Sequence, residues 1–212
     1  MRLPIDRRAW PAAFILLSLA AASRAFFKSQ EVFLFFLLLT AGHLAFFRDP
    51  VRKAPEGDGP VSAADGKVAE ITRIKEDQYL KEDAIKIGIF LSVFVPHVNR
   101  APIDGTVEFL RYVPGKFLNA LRADSADHNE SNWIGISQGK RRVLVRQIAG
   151  AIARRIYWDV QKDQNVKRRD KVGIICYGSR VECFFPAGQF QPAVKIGQRV
   201  KAGESLLGKW LP

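Results

Sequence analysis

The sequence has few of the residues that form covalent cross-links or metal sites. Among its 212 residues there are two cysteines, Cys176 and Cys183, and three histidines. Two cysteines exclude a disulfide framework and a cysteine-rich metal site, and we expect both to be buried thiols in a reducing compartment. If one strand contains both, their odd spacing of seven places them on opposite faces of a sheet.

Several chemical motifs are also missing. His43, His97 and His128 are too far apart for the His-x-His or His-x-x-His pairs that bind metals, so no metal ion is expected. The chain has no glycine-rich phosphate loop, and Ser179 lacks the flanking glycines of a Gly-x-Ser-x-Gly nucleophile elbow. His43 falls in an apolar run, which favours a helix-packing role, and His128 falls in a polar segment that predicts a surface position.

Negative charge is scarce in this chain. Lys and Arg number 33 against 21 Asp and Glu, which is a formal net charge of +12. Residues 140–171 contain eleven Lys or Arg and three acidic residues, so this segment alone carries +8. Such a segment is typical of proteins that bind an anionic membrane surface or nucleic acid, although a solvated basic face would show the same composition.

The amino-terminal region predicts a membrane anchor. Two strongly apolar runs, 11–23 and 32–47, are separated by a polar segment with Arg24 and Lys28, whose long side chains can reach an interface. Neither run reaches the ~20 residues of a full span. Cations flank both outer ends, which favours a helical hairpin with both ends in the cytoplasm. A signal peptide is the alternative, because small residues resembling a cleavage site end the first run.

This anchor sets the predicted domain organisation. It makes an anionic membrane surface the expected partner of the basic segment, and nucleic acid is not expected. Composition then divides the chain into a basic segment at 1–9, a hydrophobic hairpin at 10–47, a Pro/Gly-rich charged linker at 48–60, and a β domain at 61–212.

The sequence beyond residue 60 predicts a mainly β fold, because short β-prone runs alternate with turn signals as in a sandwich or barrel. Strands are expected from Val68, over 84–95 and over 105–113. Residues 117–133 are expected to form a loop with a short helix, and 141–160 fit either two strands around a central glycine or a strand and a helix.

Two pairs of phrases are internally similar. Residues 64–68 resemble 103–107, each with an Asp-Gly turn before an alternating strand, and residues 164–170 resemble 198–204. The phrase "GQRVKAGESLLG" at 197–208 also resembles the hairpin of lipoyl- and biotinyl-type barrel-sandwich domains. We therefore expect a barrel-sandwich-like domain built from quasi-duplicated hairpins.

Candidate reactive residues lie in three separate segments. "IICYGSRVECFFP" at 174–186 resembles a buried strand, and taken alone its Gly178-Ser179 interruption is typical of a β-bulge or turn. His97 follows an apolar strand and lies between two prolines, which suits an acid–base group or a hydrogen-bonded loop histidine. Asp65 precedes a glycine and fits either a turn or a functional role.

The order and spacing of five phrases resemble the phosphatidylserine decarboxylase family, in its short bacterial and archaeal (type A) form. The resemblance covers nearly the whole chain. The phrases are "FFRDP" (46–50), "VSAADGKV" (61–68), "FLSVFVPHVNRAP" (90–102), "FLNALRADSADHNESN" (117–132) and "YGSRVECFFP" (177–186).

The resemblance implies a self-processing enzyme. The Ser179 hydroxyl would attack the carbonyl of Gly178, and elimination and hydrolysis would leave a β chain of 1–178 and an α chain of 179–212 that begins with a pyruvoyl group. Glycine leaves the attacked carbonyl sterically open, and serine supplies both the nucleophile and the carbons of the cofactor. By the same resemblance, His97 deprotonates Ser179 and Asp65 orients His97.

The resemblance also implies the reaction. The amine of phosphatidylserine would form a Schiff base with the pyruvoyl group, lose CO₂ and leave phosphatidylethanolamine, with His97 as the candidate proton donor. Longer family members have a second histidine where this chain has Arg100, so either His97 serves both steps or Arg100 takes a binding role. Arg180 is assigned no role beyond head-group contact.

The implied setting is the cytoplasmic face of the inner cell membrane, with the chain's own β and α parts as partners and homo-oligomerisation left open. Two other functions stay open from the residues. One is a membrane-anchored adaptor or carrier with Lys67 as its modified lysine, a poor fit because Lys67 follows Asp65-Gly66 rather than the usual neighbours. The other is a pyruvoyl enzyme for a soluble amino acid, which the hydrophobic anchor disfavours.

Overall fold

The computed structural model describes residues 4–118, 128–150, 155–176 and 179–212. The chain divides into two compact units, an amino-terminal helical unit up to Val51 and a β unit from Arg52 to Pro212. The predicted linker therefore begins within the first unit, and its later residues belong to the second.

Two helices form the amino-terminal unit, as predicted. A short 3-10 turn, Arg7–Ala9, leads into α1, Trp10–Phe26, and α2 covers Gln30–Phe46. The side chain of Ser29 accepts a hydrogen bond from the backbone of Val32, so it caps the amino end of α2. These local signals, with apolar side chains between them, explain why each run becomes a helix.

The two helices pack against each other and keep most of their apolar side chains exposed. His43 Nε2 lies 3.0 Å from the carbonyl oxygen of Ala9, which confirms the helix-packing role predicted for this histidine. The segment Arg7–Phe26 is long and apolar enough to cross a membrane, whereas α2 is shorter. The exposed large apolar residues include Phe14, Ile15, Phe26, Phe27, Leu34, Phe35 and Leu38.

The β unit confirms the predicted mainly β class. The strands are β1 Gly66–Glu76, β2 Glu82–Leu91, β3 Val98–Arg100, β4 Gly105–Val113, β5 Ser131–Gln138, β6 Arg141–Ile148, β7 Arg155–Trp158, β8 Asn165–Val166, β9 Lys171–Cys176, β10 Ser179–Pro186, β11 Phe190–Pro192, β12 Arg199–Val200 and β13 Gly208–Trp210. Eight strands form one curled sheet in the order β12-β1-β2-β10-β6-β5-β4-β8, three form a second sheet in the order β3-β9-β7, and β11 pairs with β13.

The internal similarity of the sequence corresponds to a structural duplication. The start of β1 pairs with β12, and the start of β4 pairs with β8 in the same way. Each long strand then has an irregularity at the same place, between Val68 and Glu70 in β1 and between Val107 and Phe109 in β4. The prediction of quasi-duplicated hairpins is confirmed.

Several element boundaries differ from the prediction. The strand expected over 84–95 ends at Leu91, before the two prolines that fix the following loop, and the loop expected over 117–133 already gives way to β5 at Ser131. Residues 141–160 contain two strands, β6 and β7, rather than a strand and a helix. Residues 119–127, which include part of the predicted short helix, lie outside the described residues.

The stretch 174–186 is divided between two sheets. Its first part ends β9 in the three-stranded sheet, and its second part is β10 at the centre of the eight-stranded sheet. Both cysteines are buried and neither forms a disulfide, as predicted, but they belong to different strands. Burial raises the pKa of the Cys183 thiol to about 12, so this thiol is unreactive at neutral pH.

The core lies on one face of β10. Val181, Cys183 and Phe185 belong to the main apolar cluster, which also includes Ile175 of β9. Phe184 packs in a separate cluster on the opposite face of the strand. Because alternate residues share a face, Ser179 lies on the core side and Arg180 on the other side.

The basic segment 140–171 only partly forms a free surface. Four of its cations pair with acidic residues of the β unit: Arg141, Arg142, Arg146 and Lys171. Its exposed cations among the described residues are Lys140, Arg155, Lys162 and Lys167. Within the described part of the segment, this exposed group is the one available to an anionic surface.

Candidate active site

Ser179 is the first residue of β10 and pairs with Leu91, the last residue of β2. It is wholly buried, and its hydroxyl has no hydrogen-bond partner among the described residues. A buried polar group without a partner is destabilising by about 1–3 kcal/mol, so its presence in a folded core calls for a functional reason. Gly178 and Tyr177 lie outside the described residues, and the predicted Gly178-Ser179 cleavage site is described on its serine side only.

The chain passes between the two sheets twice near Ser179. One connection runs from Cys176 at the end of β9 to Ser179, and the other runs from Leu91 at the end of β2 towards β3. His97 lies on the second connection, and its carbonyl oxygen accepts a hydrogen bond from the backbone N–H of Ile175, 3.3 Å away. The topology therefore brings Ser179 and His97 to the same junction of the sheets.

The imidazole of His97 is completely buried, and its orientation is set by the backbone. Nδ1 lies 2.8 Å from the carbonyl oxygen of Val95. A carbonyl oxygen only accepts hydrogen bonds, so Nδ1 carries the proton and Nε2 is the basic nitrogen of the neutral ring. His97 thus has the tautomer that a general base acting through Nε2 needs.

Asp65 is also buried, and the donors around its carboxylate are an arginine and a backbone N–H. Among the described residues, its Oδ2 accepts hydrogen bonds from Arg52 Nη2 at 2.6 Å and from the backbone N–H of Ala202 at 3.4 Å. Burial raises the pKa of Asp65, while the guanidinium of Arg52 and the charge of Arg100 oppose that rise. The orientation of His97 by Asp65 stays a prediction, because the group seen at Nδ1 is the Val95 carbonyl.

The duplication provides an internal comparison for Asp65. In the second copy, Asp104 Oδ1 accepts a hydrogen bond from the backbone N–H of Arg168 at 2.8 Å, which matches the contact between Asp65 and Ala202. Asp104 is exposed, whereas Asp65 is buried against Arg52. The shared contact is the turn function of the Asp-Gly pair, and burial beside arginine is specific to Asp65.

Arg100 is buried beside this carboxylate. Its Nη1 donates to the carbonyl oxygen of Arg169 at 2.9 Å. This contact holds the chain before β9 close to Asp65. A binding role for Arg100 stays a prediction.

Arg180 lies on the outer face of the sheet and is held by two carboxylates. Its Nε donates to Glu182 Oε1 at 2.9 Å, and its Nη2 contacts Glu70 Oε2 on β1. The guanidinium crosses β2 above Gly88, where a β-carbon would lie 2.5 Å from Nη2. The sequence-based expectation for Arg180 was head-group contact alone. The spacing of Arg180 and Glu182 by two residues on one strand could have predicted their ion pair.

The ion pairs of Glu70 with Lys86 and Arg180 strongly lower the pKa of its carboxyl group. Burial alone would raise its pKa, but hydrogen bonds from Lys86 and Thr72 and the charges of Lys86 and Arg180 lower the pKa of Glu70 to about 2. The carboxylate therefore stays ionised, and able to hold Arg180, well below neutral pH.

Two buried amides near this junction were missed by sequence reasoning. Gln147 Nε2 donates to Asn99 Oδ1 at 2.7 Å, and both residues are wholly inaccessible to solvent. Asn99 lies two residues after His97 in a segment where only the histidine stood out, and Gln147 had no motif to mark it. The signal that could have found Gln147 is a polar side chain on the apolar face of a strand, since it continues the alternation of Val143 and Val145 in "RRVLVRQIAG".

The lysine considered for the carrier hypothesis does not lie where a carrier needs it. Lys67 lies within β1, opposite Phe90 of β2, and not at an exposed hairpin tip. In the described parts of the chain, no group of three or more His, Cys, Asp or Glu is arranged to hold a metal ion.

Known proteins are similar to this chain over most of its length. A family model described as phosphatidylserine decarboxylase matches residues 39–208. The phosphatidylserine decarboxylase proenzyme of Carboxydothermus hydrogenoformans is 40% identical over 92% of this chain and 90% of its own length. The proenzyme of Desulfotalea psychrophila is 39% identical over 98% of this chain and 97% of its own length. The proenzyme of Syntrophus aciditrophicus is 44% identical over 77% of this chain and 77% of its own length.

This chain belongs to the phosphatidylserine decarboxylase family. Because its relatives match along most of their own length, the resemblance to the short bacterial form is confirmed. Members of the phosphatidylserine decarboxylase family are carboxy-lyases, and the curated relatives are named proenzymes. The matched region includes Asp65, His97 and Ser179.

The depressed pKa of Glu70 leads to a prediction about stability. A carboxylate whose folded pKa lies below its unfolded value near 4.5 stabilises the fold above that pH, and this contribution is lost as the pH falls towards 2. Glu70→Gln should therefore unfold more easily than the wild type at pH 7, with the difference shrinking between pH 4.5 and pH 2. Urea unfolding at several pH values measures it.

The matched control is Asp83→Asn, which removes the exposed ion pair with Arg73 on the same sheet. An exposed pair contributes little to stability, so this variant should resemble the wild type. A stability difference for Glu70→Gln that stays constant down to pH 2 would contradict the assigned charge interaction.

Proposed function

We propose that this chain is a self-processing phosphatidylserine decarboxylase that converts phosphatidylserine to phosphatidylethanolamine and CO₂, with Ser179 as the precursor of its pyruvoyl cofactor. The observation that carries the proposal is the Ser179 hydroxyl, which is wholly buried and without a partner among the described residues of a family member. No structural role explains an unpaired hydroxyl at this position.

Self-cleavage uses groups that the chain itself supplies. The Ser179 oxygen attacks the carbonyl carbon of Gly178, and the peptide bond becomes an ester as the acyl group moves from nitrogen to oxygen. Loss of the Cα proton of Ser179 expels the carboxylate of Gly178, which ends the β chain. The dehydroalanine left on the α chain takes up water and releases ammonia, which gives the pyruvoyl group.

His97 is the proposed base for this attack. A serine hydroxyl is a weak nucleophile until a neighbouring base accepts its proton. The Val95 carbonyl fixes the proton of His97 on Nδ1, so Nε2 is free of a proton and suited to this task. Asp65 is proposed to support this arrangement through the polar cluster that it forms with Arg52.

The fold explains how the two parts would stay together after cleavage. Strand β10 would belong to the α chain, yet it pairs with β2 on one side and β6 on the other, both of which belong to the β chain. Strand β12 of the α chain also pairs with β1. The β and α chains are therefore each other's partners in one core.

The position of Ser179 fits a pyruvoyl group. When formed, the pyruvoyl group supplies the electron sink that a decarboxylation needs. Leu91 and Val181 surround this position with wholly buried apolar side chains, which exclude water and strengthen electrostatic interactions there. His97 at the same junction is the proposed proton donor to the decarboxylated substrate.

The membrane setting is proposed from exposed apolar and basic surface. In the β unit, the side chain of Phe94 is 84% exposed. It lies on the short loop that begins after Leu91, the residue of β2 that pairs with Ser179. We propose that this loop contacts the lipid surface and that the exposed cations of the basic segment bind anionic head groups. The proposed location is the cytoplasmic face of the inner cell membrane. The proposed domains keep their predicted ranges: a basic segment at 1–9, a membrane-anchoring hairpin at 10–47, a linker at 48–60 and a decarboxylase domain at 61–212.

Intact-mass analysis tests the proposed function directly. The purified wild type should contain an α chain of residues 179–212 with a blocked, pyruvoyl amino terminus, and it should release CO₂ from phosphatidylserine. Ser179→Ala should remain full length and inactive, because its side chain has no nucleophile. A wild type found only as the full-length chain would overturn the proposal.

The duplicated Asp-Gly turns give a matched pair for the processing machinery. Asp65→Asn keeps the turn but removes the buried charge, so cleavage should slow by tenfold or more, whereas Asp104→Asn should cleave like the wild type. His97→Ala should leave little or no cleavage. Time courses of cleavage on denaturing gels measure all three, and equal rates for Asp65→Asn and Asp104→Asn would remove Asp65 from the machinery.

The exposed loop generates a prediction about membrane contact. Phe94→Ser should lower activity on phosphatidylserine in anionic vesicles by about 10- to 150-fold, because burial of one aromatic side chain contributes about 1.5–3 kcal/mol. Activity on a short-chain, monomeric phosphatidylserine should not change. Tyr112→Ser is the control, since Tyr112 is exposed four strands away on β4. Equal losses on both substrates would contradict a lipid contact.

A further inference from the structure

The amide pair Asn99–Gln147 has hydrogen-bonding groups that the fold does not use. One hydrogen bond, from Gln147 Nε2 to Asn99 Oδ1, joins the two side chains. The remaining polar atom of each amide, Asn99 Nδ2 and Gln147 Oε1, is buried with no partner among the described residues. Turning both amides would exchange these roles, so in either orientation the pair offers one unpaired donor group and one unpaired acceptor. Stability alone does not account for such a pair, since apolar groups of the same shape would do as well or better.

The pair lies on the same side of the sheet as Ser179. Gln147 is directly opposite Val181 in the β6–β10 ladder. Ser179 is two residues before Val181 on the same face of β10, which makes it the diagonal neighbour of Gln147, about 7–8 Å away. Asn99 reaches this place from β3, one residue beyond the strand partner of Ile174 and two residues after His97.

Gly173 makes room for this contact. It is the strand partner of Asn99 on β9. A β-carbon at Gly173 would lie 2.9 Å from Gln147 Nε2, so the amide of Gln147 lies against the small sheet at a position without a side chain. The arrangement therefore joins one residue from each sheet beside the junction that contains Ser179 and His97.

We infer that Asn99 and Gln147 bind the amino-acid end of the substrate. A serine head group has an acceptor-only carboxylate and a donor-only ammonium group close together, which complements one free donor and one free acceptor. Asn99 Nδ2 donates to the carboxylate, and Gln147 Oε1 accepts from the amino group and aims it at the position of Ser179. This inference rests on the proposed function, because it takes phosphatidylserine as the substrate.

Neutral amides suit a carboxylate that is going to be lost. A buried arginine would bind the carboxylate strongly in the ground state, and that interaction disappears as CO₂ forms, so it would raise the barrier. An amide donor fixes the direction of the carboxylate with a weaker interaction. On the core side of β10, the neighbours Leu91, Val181 and Ile175 are apolar, so the polar side chains that the described residues bring to this junction are the two amides and His97.

The decisive experiment uses shape-matched variants of the full chain: Asn99→Leu, Gln147→Met and the double variant. All should still cleave to β and α chains by intact mass, since the base is His97. Each single variant should lose about 10- to 100-fold in kcat/KM on phosphatidylserine, as expected for one hydrogen bond to a charged group. The double variant should lose more while keeping a Tm within about 2 °C of the wild type or above it.

Two soluble head-group analogues separate the roles of the two residues. Glycerophosphoserine should inhibit the wild type more strongly than glycerophosphoethanolamine, which lacks the carboxylate. Asn99→Leu should abolish this preference, whereas Gln147→Met should weaken inhibition by both compounds. A structural role, or a bound water that merely fills the pair, would leave the preference unchanged in both variants.

Asn129 provides the stability comparison. It is a buried amide whose hydrogen bonds to the backbone of Leu118 and Ala149 are all made within the fold. Asn129→Leu should lower Tm by about 5–10 °C, because it removes hydrogen bonds that the fold uses. The double variant, by contrast, should not lower Tm in this way.

The results separate this inference from the proposed function. If the wild type is neither cleaved nor active, the proposed function fails. If the wild type is active but the double variant keeps its kcat/KM, loses cleavage or unfolds like Asn129→Leu, only the role of the amide pair is refuted.

Discussion

The central position of β10 between β2 and β6 is the constraint on which the site depends. Its ladder with β2 begins at the pair Ser179–Leu91 and continues to Pro186, and its ladder with β6 covers Arg180 to Phe184. Both ladders start at the point where the chain arrives from the smaller sheet. A strand paired on both sides has little freedom to shift, so its first residue is held firmly against whatever faces it across the core.

The duplicated hairpins surround this strand with two related halves. The order β12-β1-β2 on one side of β10 and β6 resembles β8-β4-β5 on the other. The two halves differ where chemistry is proposed: Asp65 is buried beside Arg52, and its counterpart Asp104 is exposed. The two halves thus share one frame, in which one Asp-Gly turn also carries a buried charge and the other forms only the turn.

Much of the fold was predictable because local signals and tertiary structure agree. Alternating apolar residues marked β1 and β4, and the Asp-Gly turns marked their starts. Ser179 and His97 could be proposed because the phrases around them resemble a family. The contact of Asp65 with Arg52 was not predictable, since Arg52 falls in a segment that composition marks only as a linker.

Other features depend on long-range pairing, which local patterns do not record. Residues 174–186 look like one strand because both parts are apolar and β-prone, yet the two parts pair with different sheets. The amide pair joins residues 48 positions apart in the sequence. A glutamine on the core-side face of a strand, in line with two buried valines, signals an unusual position, but only the fold shows that it contacts Asn99.

The guanidinium of Arg180 has a consequence for a chain that is cut. A new chain end normally frays, because its first residues lose the covalent neighbour that held them. Here the second residue of the proposed α chain reaches across β2 to Glu70, which belongs to the proposed β chain, and the gap left by Gly88 lets it pass. An electrostatic tether would therefore replace the broken peptide bond and keep the cofactor-bearing end in place for every turnover.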